Sequence, residues 1–328
     1  MLNFIPPRLK SLVPGYRRRH YRRHAALIAA IAAAMPRLKL GSDGNTLWLA
    51  APDENLKLYG FATEPRNADL YDLLRPALPS ALPRTHFRLV KDHATRWLYP
   101  HMRPDLRPEG NGLDRLHGFH RQHKDNLAQV PDAAQRERLM RAFRPGRGDV
   151  VIDCGPFLGF GAIRIARDAP EGRIFAVEAS RECHTLLKRN IEVNGAANVV
   201  PLHRGVWNKV MELDLETTFA QDNSLVAEVQ PGERREKVQT LTIDGLVAEQ
   251  KLDRLDMLSP TLNGAEVEWL EAASDTLKRL RPRIRAAGWY LRGGQRIADL
   301  IRPVIERAGY DVFVGPLGNV MALPRERT

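Results

Sequence analysis

The alternation of apolar and polar positions changes at about residue 144. Beyond it, short continuous apolar runs alternate with stretches in which apolar residues recur every three or four positions. Continuous runs are typical of buried parallel strands, and the longer period is typical of amphipathic helices. Strands are predicted over residues 149–152, 173–177 and 198–203, with helices between them over 162–169 and 183–193. This order predicts βαβ units with right-handed crossovers, and therefore a parallel sheet.

The rest of the C-terminal half continues this pattern. Strand-like runs cover residues 237–243, 252–258 and 283–291, and helices are predicted over 267–280 and 297–308. Two further apolar runs, within residues 311–323, flank a Gly-Pro-Leu-Gly turn, which predicts an antiparallel hairpin. The predicted fold class is α/β, with a Rossmann-like sheet that is mostly parallel and ends in an antiparallel C-terminal hairpin.

The N-terminal part is less regular. Residues 45–61 contain two apolar runs around a Pro-Asp-Glu-Asn turn, which predicts a hairpin. Residues 62–116 are rich in Pro, Arg and His and predict helices joined by loops. His117, His120 and His123 share one helical face. No nearby Cys or Glu completes a ligand set, so no metal site is predicted.

The positive charge is concentrated at the start of the chain. Residues 1–42 carry nine basic side chains and no acidic one, and they account for most of the net charge of +11. The predicted domains are a basic arm (1–42), an accessory region that forms an α+β extension (43–130) and a main domain (131–328). Because the main domain is nearly neutral, a nucleic-acid cleft through it is not expected.

A glycine-rich turn follows the first strand of the main domain. Its sequence, Asp153-Cys154-Gly155-Pro156-Phe157-Leu158-Gly159, has the pattern D-x-G-x-x-x-G and opens a helix at the edge where open α/β sheets bind ligands. Gly155 is expected to let the backbone turn sharply and to leave space for a ligand, and Gly159 to allow close helix packing. A dinucleotide fingerprint needs a second glycine where Phe157 stands, and no P-loop pattern occurs. The turn therefore disfavours dehydrogenases and P-loop proteins.

An acidic residue, Glu178, closes the second strand. In this position a carboxylate can accept hydrogen bonds from both ribose hydroxyls of an adenosine, although a helix-capping role is the alternative. With Asp153 and both glycines upstream, the ligand-binding interpretation is favoured.

These motifs resemble those of known methyltransferases. The glycine-rich turn is similar to motif I of enzymes that use S-adenosylmethionine. The runs GDVVIDCGPFLGFGAI, PEGRIFAVEAS and LLKRNIEVNGAANVVPLHRGVWN resemble the FkbM methyltransferase family, as do Asn223-Ser224-Leu225, VQTLTIDGLVAE and Asn263-Gly264-Ala265-Glu266. The resemblance covers roughly residues 130–328.

The resemblance implies both a fold and an activity. The fold is a class I, Rossmann-like methyltransferase domain, and the activity is O-methylation of a hydroxyl on a sugar, glycan or related metabolite. S-adenosylmethionine would be held by Asp153, Gly155, Gly159 and Glu178, with Asp153 at its amino-acid end. A buried, loop-anchoring aspartate is compatible with that role. Base methylation of nucleic acids normally uses an Asn/Asp-Pro-Pro-aromatic loop, which does not occur here, so nucleic acid is not the expected partner.

The catalytic half departs from the family pattern. The family usually has Lys-Ile-Asp-Val-Glu-Gly at the fourth strand, where this chain has Ser-Pro-Thr-Leu-Asn-Gly at 259–264. Thr261 and Asn263 therefore replace carboxylates. The fifth strand, which usually carries a glutamate, has none around Arg285. Pro156 and Phe157 stand where the family favours Ala and Asn.

No catalytic residue is assigned from the sequence. The weak candidates are Glu266, which could equally be a helix N-terminal charge, and His203, which could be an ordinary residue at a strand end. Two functions stay open. One is an active O-methyltransferase, and the other is a degenerate methyltransferase domain that binds cofactor or a partner with weak or no catalysis.

The expected location is cytoplasmic. The two cysteines suggest neither a disulfide framework nor a zinc site, and the cofactor is cytosolic. The apolar run Ala25–Met35 is shorter than the ~20 residues of a membrane-spanning helix. It predicts either an amphipathic helix packed on the body or a surface helix attracted to anionic lipid, which would bring the protein to the inner face of the membrane.

Overall fold

The computed structural model describes residues 39–43, 46–52, 55–61, 132–217, 223–226, 235–315 and 318–326. The predictions for the basic arm before residue 39, for the helices of 62–116 and for His117, His120 and His123 lie outside these ranges. The strands of 39–61 and the residues from 132 onward belong to two compact units. Within the described ranges, no helix combines the length and apolar character needed to cross a bilayer.

The first unit contains a three-stranded antiparallel sheet. Its strands, in both chain and spatial order, are β1 Lys39–Asp43, β2 Thr46–Ala51 and β3 Leu56–Phe61. The pairing of β2 with β3 confirms the hairpin predicted over residues 45–61. The turn closes through a hydrogen bond of 3.0 Å from the Asn55 N–H to the Pro52 carbonyl, with Asn55 in the left-handed region.

The second unit contains twelve described strands and seven described helices. The strands are β4 Val150–Cys154, β5 Arg173–Glu178, β6 Val199–His203, β7 Gly205–Val206, β8 Glu212–Glu216, β9 Arg235–Leu241, β10 Met257–Pro260, β11 Arg283–Ala286, β12 Leu291–Arg292, β13 Gln295–Arg296, β14 Tyr310–Val314 and β15 Val320–Pro324. The helices are α1 Ala133–Ala142, α2 Phe160–Asp168, α3 Arg181–Val193, α4 Ile243–Glu249, α5 Glu266–Glu271, α6 Ser274–Arg279 and α7 Ile297–Arg307.

Seven strands form the main sheet, in the order β14-β15-β11-β10-β4-β5-β6. The strands from β11 to β6 are parallel, and β15 is antiparallel to both β11 and β14. This arrangement confirms the predicted α/β sheet with its antiparallel C-terminal hairpin. The chain runs outward from β4 in one direction and then returns to place β10 on its other side. The carboxyl ends of β4 and its neighbours therefore flank the crevice in which such sheets bind ligands.

Helices cover both faces of the sheet. On one face, buried residues of α4, α5, α6 and α7 pack against alternate residues of the central strands, and Trp269 and Tyr310 are the largest side chains that are fully buried. On the opposite face, α2 and α3 contact β5 and β6. Ile152 and Cys154 belong to the core on the side of α4 to α7. Because successive side chains of a strand point to opposite faces, Asp153, which lies between them, faces the side of α2.

The helix predicted over residues 267–280 is wrong in one respect, because the structure has two short helices there. The carboxylate of Asp244, on α4, accepts hydrogen bonds from the backbone N–H groups of Asp275 and Thr276 and from the Thr276 hydroxyl. The Asp244 N–H donates to the Ala272 carbonyl. The Asp244 side chain therefore caps α6 and its backbone N–H binds the end of α5, interactions that apolar periodicity does not reveal.

Two predicted strands are shorter than expected. The run 252–258 contributes only its end to β10, because Asp256 binds the start of β4 instead. Its N–H donates to the Val150 carbonyl, and its carboxylate accepts from the Val150 N–H, both at 2.8 Å. The run 283–291 stops at Ala286 and continues as the β12–β13 hairpin, which turns at Gly293 and Gly294, both with positive φ.

The strand predicted over residues 237–243 ends two residues early. The Thr242 hydroxyl accepts from the Gly245 N–H at 3.0 Å and caps α4, so Ile243 begins a helix. The strand itself, β9, pairs with β7 and β8 in a separate small sheet.

Candidate active site at the carboxyl edge of the sheet

The glycine-rich turn crosses the carboxyl end of β4. Gly155 has φ 73, and its N–H donates to the Val177 carbonyl of β5 at 2.9 Å. A Cβ at Gly155 would lie 2.1 Å from the backbone oxygen of Thr261. The expectation that Gly155 leaves space for a ligand is therefore corrected, because the loop after β10 occupies that space. Glycine is required by backbone conformation and by backbone packing.

The second glycine of the turn brings two helices together. Gly159 has φ 83 and caps the start of α2. A Cβ there would lie 2.3 Å from Cδ1 of Leu187, a fully buried residue of α3. The absence of a side chain at Gly159 allows α3 to approach the turn, as the sequence predicts.

Glu178 ties the turn to the end of β5. Its side chain is buried, and its two oxygens accept from the backbone N–H groups of Phe157, at 3.0 Å, and Ser180, at 2.9 Å. Burial raises the pKa of Glu178 to about 7, although hydrogen bonds from the backbone N–H groups around it, those of Ser180 and Phe157 above all, oppose the shift. A carboxylate has about four acceptor positions, so each oxygen can accept one more hydrogen bond. Loop anchoring and ligand binding are thus compatible.

Phe157 holds a strained conformation between these groups. Its φ is 56°, in the left-handed region that glycine and asparagine tolerate better than phenylalanine. Its N–H is the group that donates to Glu178. The hydrogen bond to a buried carboxylate helps to offset the strain, which is about 1–2 kcal/mol for an ordinary residue.

Asp153 lies in a row of side chains that crosses the sheet. Ser259 is its register partner on β10, and Arg285 is the next residue along the row, on β11. An Nη of Arg285 lies 3.5 Å from the Ser259 hydroxyl oxygen. Burial raises the pKa of Asp153, against the charge of Arg285 and a hydrogen bond from Ser259. A Cβ at Gly161 would lie 3.9 Å from an Asp153 carboxylate oxygen, so the carboxylate faces the first turn of α2.

The loop after β10 holds the two positions where carboxylates are replaced. The Thr261 N–H donates to the Cys154 carbonyl at 2.8 Å. The side chain of Asn263 is buried, and its amide nitrogen donates to the backbone carbonyl of Asn223 at 2.8 Å. The backbone carbonyl of Asn263 accepts from the Ser224 hydroxyl at 3.0 Å. A carboxylate at 263 could not donate to the Asn223 carbonyl. The asparagine that replaces a carboxylate at 263 therefore forms part of the contact between this loop and residues 223–226.

The two weak catalytic candidates both bind backbone groups. Glu266 is fully buried, and its oxygens accept from the N–H groups of Leu262, at 2.8 Å, and Gly264, at 3.0 Å. Burial raises its pKa to about 7. His203 lies at the end of β6, with Nε2 3.1 Å from the Ala179 carbonyl and its ring stacked on His184 at 5.2 Å. These contacts hold the loop after β10 and the loop after β5, respectively.

Replacing Glu266 by glutamine is expected to weaken the pH dependence of folding. Because the pKa of Glu266 is raised from 4.5 to about 7, the folded protein keeps a proton between these pH values that the unfolded chain has released. The free energy of unfolding should therefore fall as pH rises from about 5 to about 7, by on the order of 2–3 kcal/mol for this group. Glutamine does not ionise, so Glu266→Gln should lose this part of the fall.

Urea unfolding at several pH values from about 5 to about 8 measures the effect. Glu271→Gln is the matched control, since Glu271 lies on the same helix, is exposed and contacts Asn208. The control should behave as the wild type does. Glu178, whose pKa is also raised to about 7, keeps a residual slope in both variants. An equally steep fall in Glu266→Gln and the control would contradict the interpretation.

The sequence alone predicts no function at the site for Ser259, Arg285 or the side chain of Asn223. The Oδ1 atom of Asn223 is buried and has no hydrogen-bond partner among the described residues, and its amide nitrogen lies 3.9 Å from the Cys183 sulfur. A polar residue one strand away from Asp153 could have been found only by assuming the register of β4, β10 and β11. In the described part of the chain, no three His, Cys, Asp or Glu side chains are grouped closely enough to hold a metal ion.

Comparison with known proteins identifies the type of domain. Residues 153–312 match the family model of the methyltransferase FkbM domain. No curated protein matches the sequence. Among solved structures, the chain is similar to the methyltransferase FkbM from Methylobacillus flagellatus KT, with 13% identity and a TM-score of 0.40 over 73% of this chain and 70% of that one. It is also similar to a SAM-dependent methyltransferase from Aquifex aeolicus, with 15% identity and a TM-score of 0.32 over 61% of this chain and 97% of that one.

Proposed function

Because residues 153–312 match the family model of the methyltransferase FkbM domain, we propose that this protein moves the methyl group of S-adenosylmethionine to a hydroxyl oxygen of a sugar, glycan or related metabolite. The observation that supports the proposal best is the position of Asp153 and Glu178. These two buried carboxylates lie at the carboxyl ends of adjacent parallel strands, on either side of the glycine-rich turn. Open α/β sheets bind nucleotide ligands at this edge.

The residues at this edge fit the chemistry of the cofactor. Glu178 has acceptor capacity left on both oxygens, as the two hydroxyls of a ribose require. Asp153 supplies negative charge for an ammonium group. The Oδ1 of Asn223, which is buried and has no partner in the described part of the chain, is an acceptor that an N–H of a ligand could satisfy. Gly155 and Gly159 hold the turn in the conformation that presents these groups.

S-adenosylmethionine supplies a methyl group on a positively charged sulfur. In the transfer, an acceptor hydroxyl oxygen forms a bond to the methyl carbon as the carbon–sulfur bond breaks, and the hydroxyl proton leaves to a base or to water. The residues of this chain contribute by positioning the two reactants, which can supply a large part of the rate enhancement. We assign the acceptor side to the loop Thr261–Gly264, which follows β10 and lies directly against Gly155.

Methyl transfer from labelled S-adenosylmethionine tests the proposal. The protein is incubated with the labelled donor and with defined mono- and oligosaccharides, and the products are separated and located by mass spectrometry. Label in an alkali-stable methyl ether on a sugar oxygen is the expected result, and Glu178→Gln should abolish it. Cofactor binding in calorimetry without transfer to any hydroxyl acceptor would contradict the proposed acceptor class.

A domain that binds the cofactor but does not transfer methyl groups is the second candidate. It is favoured by Asn263, whose amide is committed to Asn223, and by Glu266, whose carboxylate is fully buried. The double variant Thr261→Asp, Asn263→Glu separates the two candidates, with single variants as controls. If transfer appears only when both acids are restored, the natural domain is degenerate.

We also propose that the protein is cytoplasmic and meets anionic membranes through its basic arm. Residues 1–42 contain nine basic side chains, no acidic one and a short apolar run, which give them an attraction to anionic lipid of about 1 kcal/mol per basic residue near the surface. In co-sedimentation with vesicles that contain phosphatidylserine, the full chain should bind in low salt. Deletion of residues 1–42 should remove the binding, and neutral vesicles are the control. Equal binding of both forms would contradict the role of the arm.

A further inference from the structure

We infer that Arg285, together with Ser259 and Asp153, forms the subsite for the amino-acid end of S-adenosylmethionine. In this subsite, Asp153 accepts from the α-ammonium group and Arg285 donates to the α-carboxylate. The inference rests on the proposed function, because it assigns further residues of the same cofactor site. No element of the FkbM pattern described above predicts a cation at position 285, where the family usually carries a glutamate.

The first support is the register of the sheet. Ala176, Asp153, Ser259, Arg285 and Met321 occupy neighbouring positions on five adjacent strands, so their side chains emerge on one face in a single row. Two of these five residues are charged, and their charges are opposite. A single serine separates them, and an apolar side chain stands on each outer side. The row therefore presents an anion and a cation about two strand spacings apart at the backbone, which is about 10 Å.

The second support is the direction of the Arg285 side chain. Its Nη2 lies 3.5 Å from the Ser259 hydroxyl, so the guanidinium extends over β10 toward β4 and shortens the separation of the two charges. Ser259 in turn lies directly beside Asp153, as its register partner on the next strand. The two ends of the row thus converge above Ser259. Arg285 is half-buried.

The third support is the match to the ligand. The amino-acid end of the cofactor is a zwitterion, with an ammonium and a carboxylate on one carbon. A pair of opposite charges held on rigid strands is complementary to it, and an arginine can donate two parallel hydrogen bonds to a carboxylate. The first turn of α2 lies beside Asp153, where a Cβ at Gly161 would be 3.9 Å from a carboxylate oxygen.

Calorimetry with two ligands tests the inference. S-adenosylhomocysteine carries the amino-acid end, whereas 5′-methylthioadenosine lacks it and keeps the adenosine. Arg285→Met should weaken the binding of S-adenosylhomocysteine by about tenfold to a hundredfold, which is the range for loss of a charge-assisted pair. It should leave the affinity for 5′-methylthioadenosine unchanged within about threefold. Arg285→Lys should recover part of the loss, because it keeps the charge but not the paired donors.

The controls separate this inference from the proposed function. Arg302→Met changes an exposed arginine of α7 and should affect neither ligand. Glu178→Gln should weaken both ligands, since both contain the ribose. If Arg285→Met does not fold, Arg285→Lys and Ser259→Ala provide the same comparison. Equal losses for the two ligands, or no loss for S-adenosylhomocysteine, would overturn the inference, whereas a wild type that binds neither ligand would overturn the proposed function.

Discussion

Replacing Gly155 by alanine is expected to destabilise the domain by about 2–5 kcal/mol and to abolish cofactor binding. The positive φ of Gly155 accounts for about 1–2 kcal/mol of this loss in a residue with a Cβ. The remainder arises because the Cβ would lie 2.1 Å from the Thr261 carbonyl oxygen, which belongs to a backbone that cannot rotate away. Forced overpacking of this kind typically costs a further 1–3 kcal/mol, roughly.

The matched control is Gly195→Ala. Gly195 also has a positive φ, of 60°, but no atom lies within 4 Å of the position that its Cβ would take. This variant should lose only the conformational part, about 1–2 kcal/mol, and should bind cofactor normally. The measurements are urea unfolding and calorimetry with S-adenosylhomocysteine. Equal destabilisation by the two substitutions would show that the contact with Thr261 is not the reason for glycine at 155.

Replacing Glu178 by glutamine is expected to weaken cofactor binding by about two to three orders of magnitude. A glutamine has one acceptor oxygen, which cannot serve both the backbone N–H of Phe157 and Ser180 and two ribose hydroxyls. Each lost hydrogen bond to a charged group corresponds to about 1.5–3 kcal/mol. Calorimetry with S-adenosylmethionine measures the loss. Glu171→Gln is the control, because Glu171 is exposed and pairs only with Arg147 among the described side chains.

The wild type should also bind the cofactor less well in acid. The pKa of Glu178 is raised to about 7, so the carboxylate gains a proton as pH falls below that value and loses an acceptor position. The affinity for the cofactor should therefore rise with pH, by at most about tenfold per pH unit for this group, and level off above about pH 7. Glu178→Gln should lack this component of the pH dependence. A wild-type affinity that is constant from about pH 5 to about pH 8 would contradict a role for the ionised form.

The glycine-rich turn and its surroundings show which features of the site can be predicted from the sequence and which cannot. The strand before the turn, the helix after it and the acid at the end of β5 follow from apolar patterning and from spacing, because all of them are local along the chain. The reason for Gly155 does not follow, since the Thr261 carbonyl that excludes a side chain comes from a loop more than a hundred residues later. The local pattern therefore predicted the sharp turn at Gly155, but not that the Thr261 carbonyl fills the space assigned to a ligand.

The same limit explains the missed residues and the broken helix. Ser259 and Arg285 join Asp153 only through the register of three strands, and a shift of one residue would turn each side chain to the opposite face. The division between α5 and α6 depends on Asp244, about 30 residues earlier in the chain, which no periodicity within 267–280 could indicate. Contacts between distant segments decide these features.

The backbone contact between Gly155 and the loop after β10 has a consequence for the kinetics of the reaction. Thr261 is bound to the end of β4 through its N–H, and its carbonyl oxygen rests where a side chain at 155 would be. The donor side and the assigned acceptor side are thus in backbone contact, with no side chain between them to absorb a displacement. A shift of one loop should be transmitted to the other, so substitutions on the acceptor side should alter the Michaelis constants of both substrates together.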